Sequence, residues 1–538
     1  MKKISFLLCI ALATLSLTTA CDDYLDTLPD DRAEVDNLDK AASLLVTAYS
    51  TQSPNFIMEM SSDNVLDNGR LYNAQIMQEE AYRWKDITVT FNDSPRSVWN
   101  NAYVAIGTAN EVLASLEKLP DSEKLQAIKA EALLCRAFAM FRLSNMFCMA
   151  YDPTKADKYL GLPYPKEPGV TVPTRGTLKQ LYENISADIE AALPKVSDAH
   201  LKVPKYHFNT AAAYAFAARF NLFYHNYDKA IAYADKALGV APSFRAVDTY
   251  KSLGGVEEIG NAYVRSGDKA NLLLMTAFSS SGRAMWHPRF IRFNHGRPIV
   301  SNETFWAKMP WGSGAGDNTL YESHLLYGSS QQVNYPKMQE MFEVTDKVNQ
   351  SGFAHTIDAV FTTEETLLVR AEAYAMKKNF AGAIADINTW ITAHCAPQTK
   401  KANRPVLTEK SINDFWGDDE MTHVVPDTIK TDRDRGVKKP LHPQGFKVET
   451  GTQTNLIYMI LQMRRLETWQ QGQRFQDIKR YGLVICHNID GEKPLIFKSG
   501  DLRGAIQLPA DVITAGLEPN PRAVSYTHLR AHETLRYL

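Results

Sequence analysis

A seven-residue pattern returns along this chain at long intervals, each time inside a run with helical spacing. "LLCRAFA" at 133–139 comes back as "LLVRAEA" at 367–373, and a related "AFAARFN" lies at 215–221. The later copy shows why the pattern constrains the fold. Leu367, Ala371 and Tyr374 recur at i, i+4 and i+7 and share one helix face. After a short break at 377–379 a second helix is expected. In it Phe380, Ala383, Ile384, Ile387, Trp390 and Ile391 form another apolar stripe. Small residues at Ala371 and Ala383 let the two helices approach closely. A helical hairpin cannot bury its stripe alone, so such pairs must pack on one another.

The segment 214–242 repeats the scheme and aligns with the tetratricopeptide pattern. Ala218 takes the small position of the first helix, and Tyr227 opens the second. Ala230 and Ala237 are its small positions, and Pro242 ends the unit. Asn221 stands where that pattern usually has an aromatic. Further amphipathic helices are expected at 38–50, 97–118, 122–148, 177–194 and 455–481. Strand signals are few and short, for example "ITVTF" at 87–91. The expected fold is mainly α, a tetratricopeptide-like scaffold of helical hairpins with long irregular insertions. The insertions are 243–360 and 396–454, rich in Gly, Pro, Asn, Ser and aromatics. Their aromatic content argues for ordered segments laid over the scaffold, forming a surface there.

The N-terminus carries a different signal. Lys2 and Lys3 precede an apolar run, Ile4 to Leu17, broken by Ser5, Cys9, Thr14 and Ser16. That run is shorter than the roughly 20 residues a membrane-spanning helix needs. Small residues Thr18, Thr19 and Ala20 follow, then Cys21 and the acids Asp22 and Asp23. Residues 1–20 therefore read as a signal peptide. Cleavage before Cys21 resembles the bacterial lipoprotein pattern, although Leu17 lies four residues before the cysteine, where three is usual. Acylation of Cys21 would hold the new N-terminus in a membrane.

Composition narrows the partners. The formal net charge is −2, so no basic field invites nucleic acid. Six cysteines in 538 residues are too sparse for a disulfide scaffold, and none has CxxC spacing. The last sixteen residues, "AVSYTHLRAHETLRYL", continue no earlier pattern and read as a non-native tail at 523–538.

Five stretches together resemble the SusD/RagB family of outer-membrane nutrient-binding lipoproteins. They are "CDDYLDTLPDD" at 21–31, "WNNAYVAIGTANEVL" at 99–113 and "AEALLCRAFAMFRLSNMF" at 130–147, then "LLVRAEAYAMKKNFAGAIADIN" at 367–388 and "RRLETWQQGQRFQDIKRYG" at 464–482. "AIQLPADVI" at 505–513 and "PNPR" at 519–522 resemble the family's ending. Gln471 stands where the family usually has Glu, Met463 where another Glu is common, and Arg522 where Gly is preferred. The resemblance covers Cys21 to about Arg522 and implies one SusD-like domain over 21–522. Its helix-pair scaffold would occupy 38–240, 360–395 and 455–482. The resemblance also implies a function: a lipoprotein on the outer leaflet that binds a glycan or other oligomeric nutrient and hands it to a SusC-like TonB-dependent transporter. Asp22 and Asp23 resemble the family's surface-export signal.

Candidate residues follow from the chemistry of sugar binding, which needs flat aromatic faces plus amides or Arg for hydroxyls. "DNGRLYNAQ" at 67–75 offers Asn68, Arg70, Tyr72 and Asn73; the central insertion offers Trp286, Trp306, Trp311 and Tyr321. Each could instead fill a small satellite core. The cluster Arg464, Arg465, Glu467, Arg474, Asp477 and Arg480 reads as an ion-pair lock rather than a catalytic pair, because Arg forks pair bidentately with carboxylates. There is no HExxH, GxSxG or Walker loop, no metal-ligand spacing, and "DRDRG" at 432–436 places its glycine one position early for an EF-hand. No cofactor is implied. Two other readings remain at this level: a helical scaffold that binds only protein, and a secreted hydrolase whose carboxylates meet only in the fold.

Overall fold

The computed structural model describes residues 35–169, 174–286, 291–329 and 331–522. The signal peptide, Cys21, Asp22, Asp23 and the 523–538 tail lie outside the described residues. The described chain is mainly helical, and several scaffold helices begin where the sequence supplies a cap. Ser94 caps Pro95–Leu116, with Pro95 in the first turn. Ser122 caps Glu123–Phe147, and Thr177 with Gln180 makes a capping box for Leu178–Ala192. These side chains satisfy amide groups that an isolated helix end leaves unpaired.

Two hairpins share one turn design. In Thr210–Phe223/Tyr227–Leu238 the turn runs His225, Asn226, Tyr227; in Thr363–Met376/Phe380–His394 it runs Lys378, Asn379, Phe380. His225 and Lys378 both adopt left-handed backbone, at φ 63° and 61°. Asn226 and Asn379 then cap the second helix through their side-chain oxygens. The repeated motif is thus a repeated turn as well as a repeated stripe. Tyr227–Leu238 packs on Thr363–Met376, which packs in turn on Thr452–Glu467.

Glu123–Phe147 lies at the centre. It buries 18 of its 25 residues, so it is enclosed on all sides rather than amphipathic. Phe138 and Phe141 meet Phe216, Phe220 and Phe223 from the next hairpin at centroid distances of 5.2–5.8 Å. Such edge and tilted ring pairs add to simple burial.

Three expectations need correction. "ITVTF" at 87–91 forms no strand. The Thr88 amide and hydroxyl both bind the Glu80 carboxylate, at 2.9 and 2.7 Å, leaving that amide nothing to give a neighbouring strand. The 243–360 insertion is less irregular than its composition suggests. It holds a three-stranded antiparallel sheet with Ser351–Thr362 between Asn271–Ala277 and Met341–Asp346. Gly352, Ala354 and Ala359 dilute the period-2 pattern of the central strand. Finally, 455–481 is two helices, Thr452–Glu467 and Gln473–Tyr481. Gly472 between them sits at φ 68°, and a Cβ there would stand 2.8 Å from Met58 Cβ and 2.9 Å from the Asn55 carbonyl oxygen. Left-handed backbone and close approach together demand glycine.

The arginines and acids of 464–480 divide among three buried centres. In the first, Asp63 accepts from Arg474 at 2.8 and 2.9 Å and from Lys439 at 2.6 Å. Glu303 accepts from Lys439 at 2.7 Å, Arg435 at 2.8 Å and Arg465 at 3.1 Å. In the second, Asp477 lies between Arg464 at 3.1 Å and Arg480 at 3.2 Å, and Arg480 reaches Glu372 at 2.5 Å. Glu467 belongs to a third. It accepts from the Trp390 indole at 3.1 Å and lies 3.4 Å from His394 Nε2.

Burial alone would raise the pKa of Asp63, but Arg465, Arg474 and Lys439 outweigh it and hold the carboxyl well below its usual range. Burial opposes ionisation of Glu303 too, and Lys439, Arg465 and Arg435 again prevail. Carboxyls depressed in the folded state stabilise it fully above their unfolded pKa, and lose that contribution as pH falls toward the folded value. Stability to urea should therefore fall steeply below pH of about 4, the ordinary carboxylate range. Asp63→Ala leaves buried cations uncompensated and should cost about 3–5 kcal/mol in the same assay at pH 7.

Candidate functional site

The 67–75 loop is tied to the central insertion by backbone pairing. Leu66 and Asp67 pair antiparallel with Asn294 and Phe293, and Asn73 bridges Ile291 in parallel. Arg292 grips Asp67 with two bonds of 2.8 and 2.6 Å. Burial pushes the Asp67 pKa up, but its bond to Arg292 and two backbone amides bring it below the usual value. The Asn68 side-chain amide donates to the Arg292 carbonyl at 3.1 Å. Arg70 donates twice to the Asp490 carbonyl, at 3.1 and 2.7 Å, which fixes the loop to the 488–492 turn. Leu71 at the tip is fully exposed, and Asn73 is exposed beside it.

From this loop a run of side chains continues across the surface. The Tyr72 hydroxyl bonds the Gln331 side-chain carbonyl. The Gln331 backbone carbonyl accepts the Arg297 amide at 2.7 Å. The Arg297 guanidinium lies over the Trp306 ring, 5.2 Å from its centroid. Trp306 is half-buried, and its indole N–H donates to the Ser323 carbonyl at 2.9 Å. Two loop regions more than 200 residues apart thus make one surface of aromatic faces, amides and guanidinium. That is the donor and stacking set a sugar needs.

The other candidates separate. Trp311 is 1% exposed and packs 5.8 Å from Trp390. It is a core side chain packed against the Phe380–His394 helix, closed off from any ligand on the surface, and the 312–318 turn closes back so that the Trp311 carbonyl takes the Thr319 amide. Trp286 ends the short helix Ser281–Trp286, and its side chain lies outside the described residues. Tyr321 is half-buried and lines a separate hollow with Phe244 and Thr389. Sequence reasoning missed Arg297, Gln331 and Asp490. "GSSQQVN" at 328–334 and "NIDGEK" at 488–493 look like ordinary turns, and only the fold brings them to the loop.

The paired carboxylates of 464–482 are buried, and each is engaged by the groups named above. Burial raises the Glu467 pKa, while His394, Lys337 and Arg245 outweigh it and lower the value. Among the described residues, no group of three His, Cys, Asp or Glu side chains could hold a metal ion. No described helix is long and apolar enough to cross a membrane.

Residues 23–222 match the SusD-like family model described as starch-binding, associating with the outer membrane. The whole described fold agrees. A SusD-like carbohydrate-binding protein of Bacteroides vulgatus superposes with a TM-score of 0.61 at 16% identity, over 91% of this chain and 99% of that one. The chain has the SusD-like fold, and its N-terminal part resembles the SusD-like family in sequence. A laminarin-binding SusD-like protein shares the fold with a TM-score of 0.52 at 15% identity, over 90% of this chain and 98% of the other. SusD-like protein P2 of Formosa agariphila is 27% identical over 124 residues, 23% of each chain. These relations assign the SusD-like fold; the surface chemistry of this chain rests on its own residues.

Stability separates platform from core. Trp311→Ala should cost about 3–5 kcal/mol by urea unfolding. Tyr72→Phe, which removes one surface hydroxyl, should stay within about 0.5 kcal/mol.

Proposed function

We propose that this SusD-like protein is a surface lipoprotein that captures a glycan and delivers it to a SusC-like TonB-dependent transporter, without catalysis. The observation that carries the reading is the continuous Tyr72–Gln331–Arg297–Trp306 surface. Aromatic faces meet C–H surfaces there, and side-chain amides and guanidinium groups serve hydroxyls. Asn68 and Arg70 hold the loop that presents Tyr72, so they act by positioning. Starch in the family description and laminarin in one structural neighbour make glucans the first probes. The engaged state of Glu467 and Asp477 supports binding over hydrolysis, since a general acid or base must reach its substrate.

Anchoring belongs to the same reading. Acyl chains on Cys21 would keep the protein on the membrane, since two buried chains suffice for stable attachment. Asp22 and Asp23 would serve as the export signal. An affinity screen of the purified protein against polysaccharides, with product analysis, tests the binding half. Retention on a polysaccharide with no released oligosaccharide is expected. Released product would move the protein to the hydrolases, and no retention on any polysaccharide would favour a protein-binding scaffold. For the anchor, Cys21→Ala should shift the protein from the membrane to the soluble fraction, and continued membrane association of that variant would refute acylation there.

A further inference from the structure

The Tyr321–His324 turn faces two ways. Its Ser323 carbonyl receives the Trp306 indole, as described above. Its Tyr321 lines an open hollow of about 460 Å³ together with Phe244, Arg245, Asp248, Thr389 and Thr392. Three segments build this hollow: the 244–252 stretch, the Tyr321 turn and the outer face of Phe380–His394. We infer that it is a second saccharide subsite, which seats one pyranose ring against Tyr321 and is continuous with the Trp306 surface through the 321–324 turn.

The volume lies within the range of roughly 300–1,000 Å³ that small-molecule clefts occupy. The Thr389 and Thr392 hydroxyls donate to their own helix, to the Ala385 and Asn388 carbonyls, but other polar groups here are left without partners. Among the described residues, the Tyr321 hydroxyl makes no hydrogen bond, and the exposed Asp248 carboxylate makes neither a hydrogen bond nor an ion pair. The Lys251 ammonium stands 5.9 Å from the Tyr321 ring centroid without a carboxylate partner. Arg245 is only 2% exposed. Its terminal nitrogens bind the Tyr263 carbonyl at 2.6 Å and Asn271 Oδ1 at 2.8 Å, yet its Nε–H has no acceptor. The buried Tyr250 hydroxyl lies beside this guanidinium and is not part of the hollow's lining.

Leaving a buried donor unmade costs about 1–3 kcal/mol, and the Arg245 Nε–H is such a donor; the exposed groups are open to a ligand in place of water. A sugar supplies what they lack. Its C–H face covers the Tyr321 ring, its hydroxyls donate to Asp248, and its oxygens accept from donors at the floor and rim. Lys251 and Asp248 offset one another, so the site suits a neutral sugar rather than a strongly charged one.

This inference rests on the glycan reading above, and the experiment keeps the two apart. Maltohexaose and laminarihexaose are titrated calorimetrically into the intact protein and into Tyr321→Ala, Asp248→Asn and Trp306→Ala. For the hexaose that the native protein binds, Tyr321→Ala and Asp248→Asn should each weaken binding five- to tenfold, with urea midpoints unchanged for Asp248→Asn. Asp248 is exposed, so that variant keeps the test valid even if Tyr321→Ala misfolds. Native affinity in both, with loss only in Trp306→Ala, overturns the second subsite and leaves the first reading standing. Binding of neither hexaose by the native protein overturns both for glucans.

Discussion

Two buried carboxylates, Asp63 and Glu303, hold four cations from distant parts of the chain: Arg435, Lys439, Arg465 and Arg474. No side chain of this group is more than 9% exposed. Such a centre does not stabilise simply by existing, because desolvation offsets much of the Coulombic gain. Its effect is specificity. Asp63 precedes the 67–75 loop, Glu303 precedes Trp306, Arg465 and Arg474 come from the helices that close the scaffold, and Arg435 and Lys439 from the 396–454 insertion. Any arrangement that separates these segments strands a charge in the interior. The ion centre therefore fixes where the 67–75 and 297–306 segments lie relative to the helical hairpins.

The helical scaffold was legible because it follows from local rules. The stripes at 367–391 and 214–242 predict their hairpins, and the structure places them at Thr363–His394 and Thr210–Leu238. Caps such as Thr362 and Asn379 explain the small shifts in boundary. The sheet was not legible. Its central strand pairs on one side with Asn271–Ala277, about eighty residues upstream and outside any local window, and only the Met341–Asp346 side is a local hairpin. The "ITVTF" stretch shows the converse, a good strand pattern with no partner.

The surface was half legible. Aromatics in irregular segments pointed to two loops that the fold brings together, because binding residues concentrate where backbone is free of ladders. Composition does not say which ring faces outward. Trp306 and Trp311 are five residues apart in one glycine-rich stretch, yet one is half-buried under an arginine and the other is enclosed. The difference lies in packing against the Phe380–His394 helix, which is invisible in a linear pattern. Gln331 and Arg297 gain their roles only by adjacency across the chain.

Thr362 ends the strand Ser351–Thr362 and also caps the helix Thr363–Met376, accepting the Glu365 amide at 3.2 Å. No linker separates sheet from repeat. With no slack at that joint, the direction of the central strand sets the axis of the first repeat helix, so sheet and helical stack are oriented as one piece.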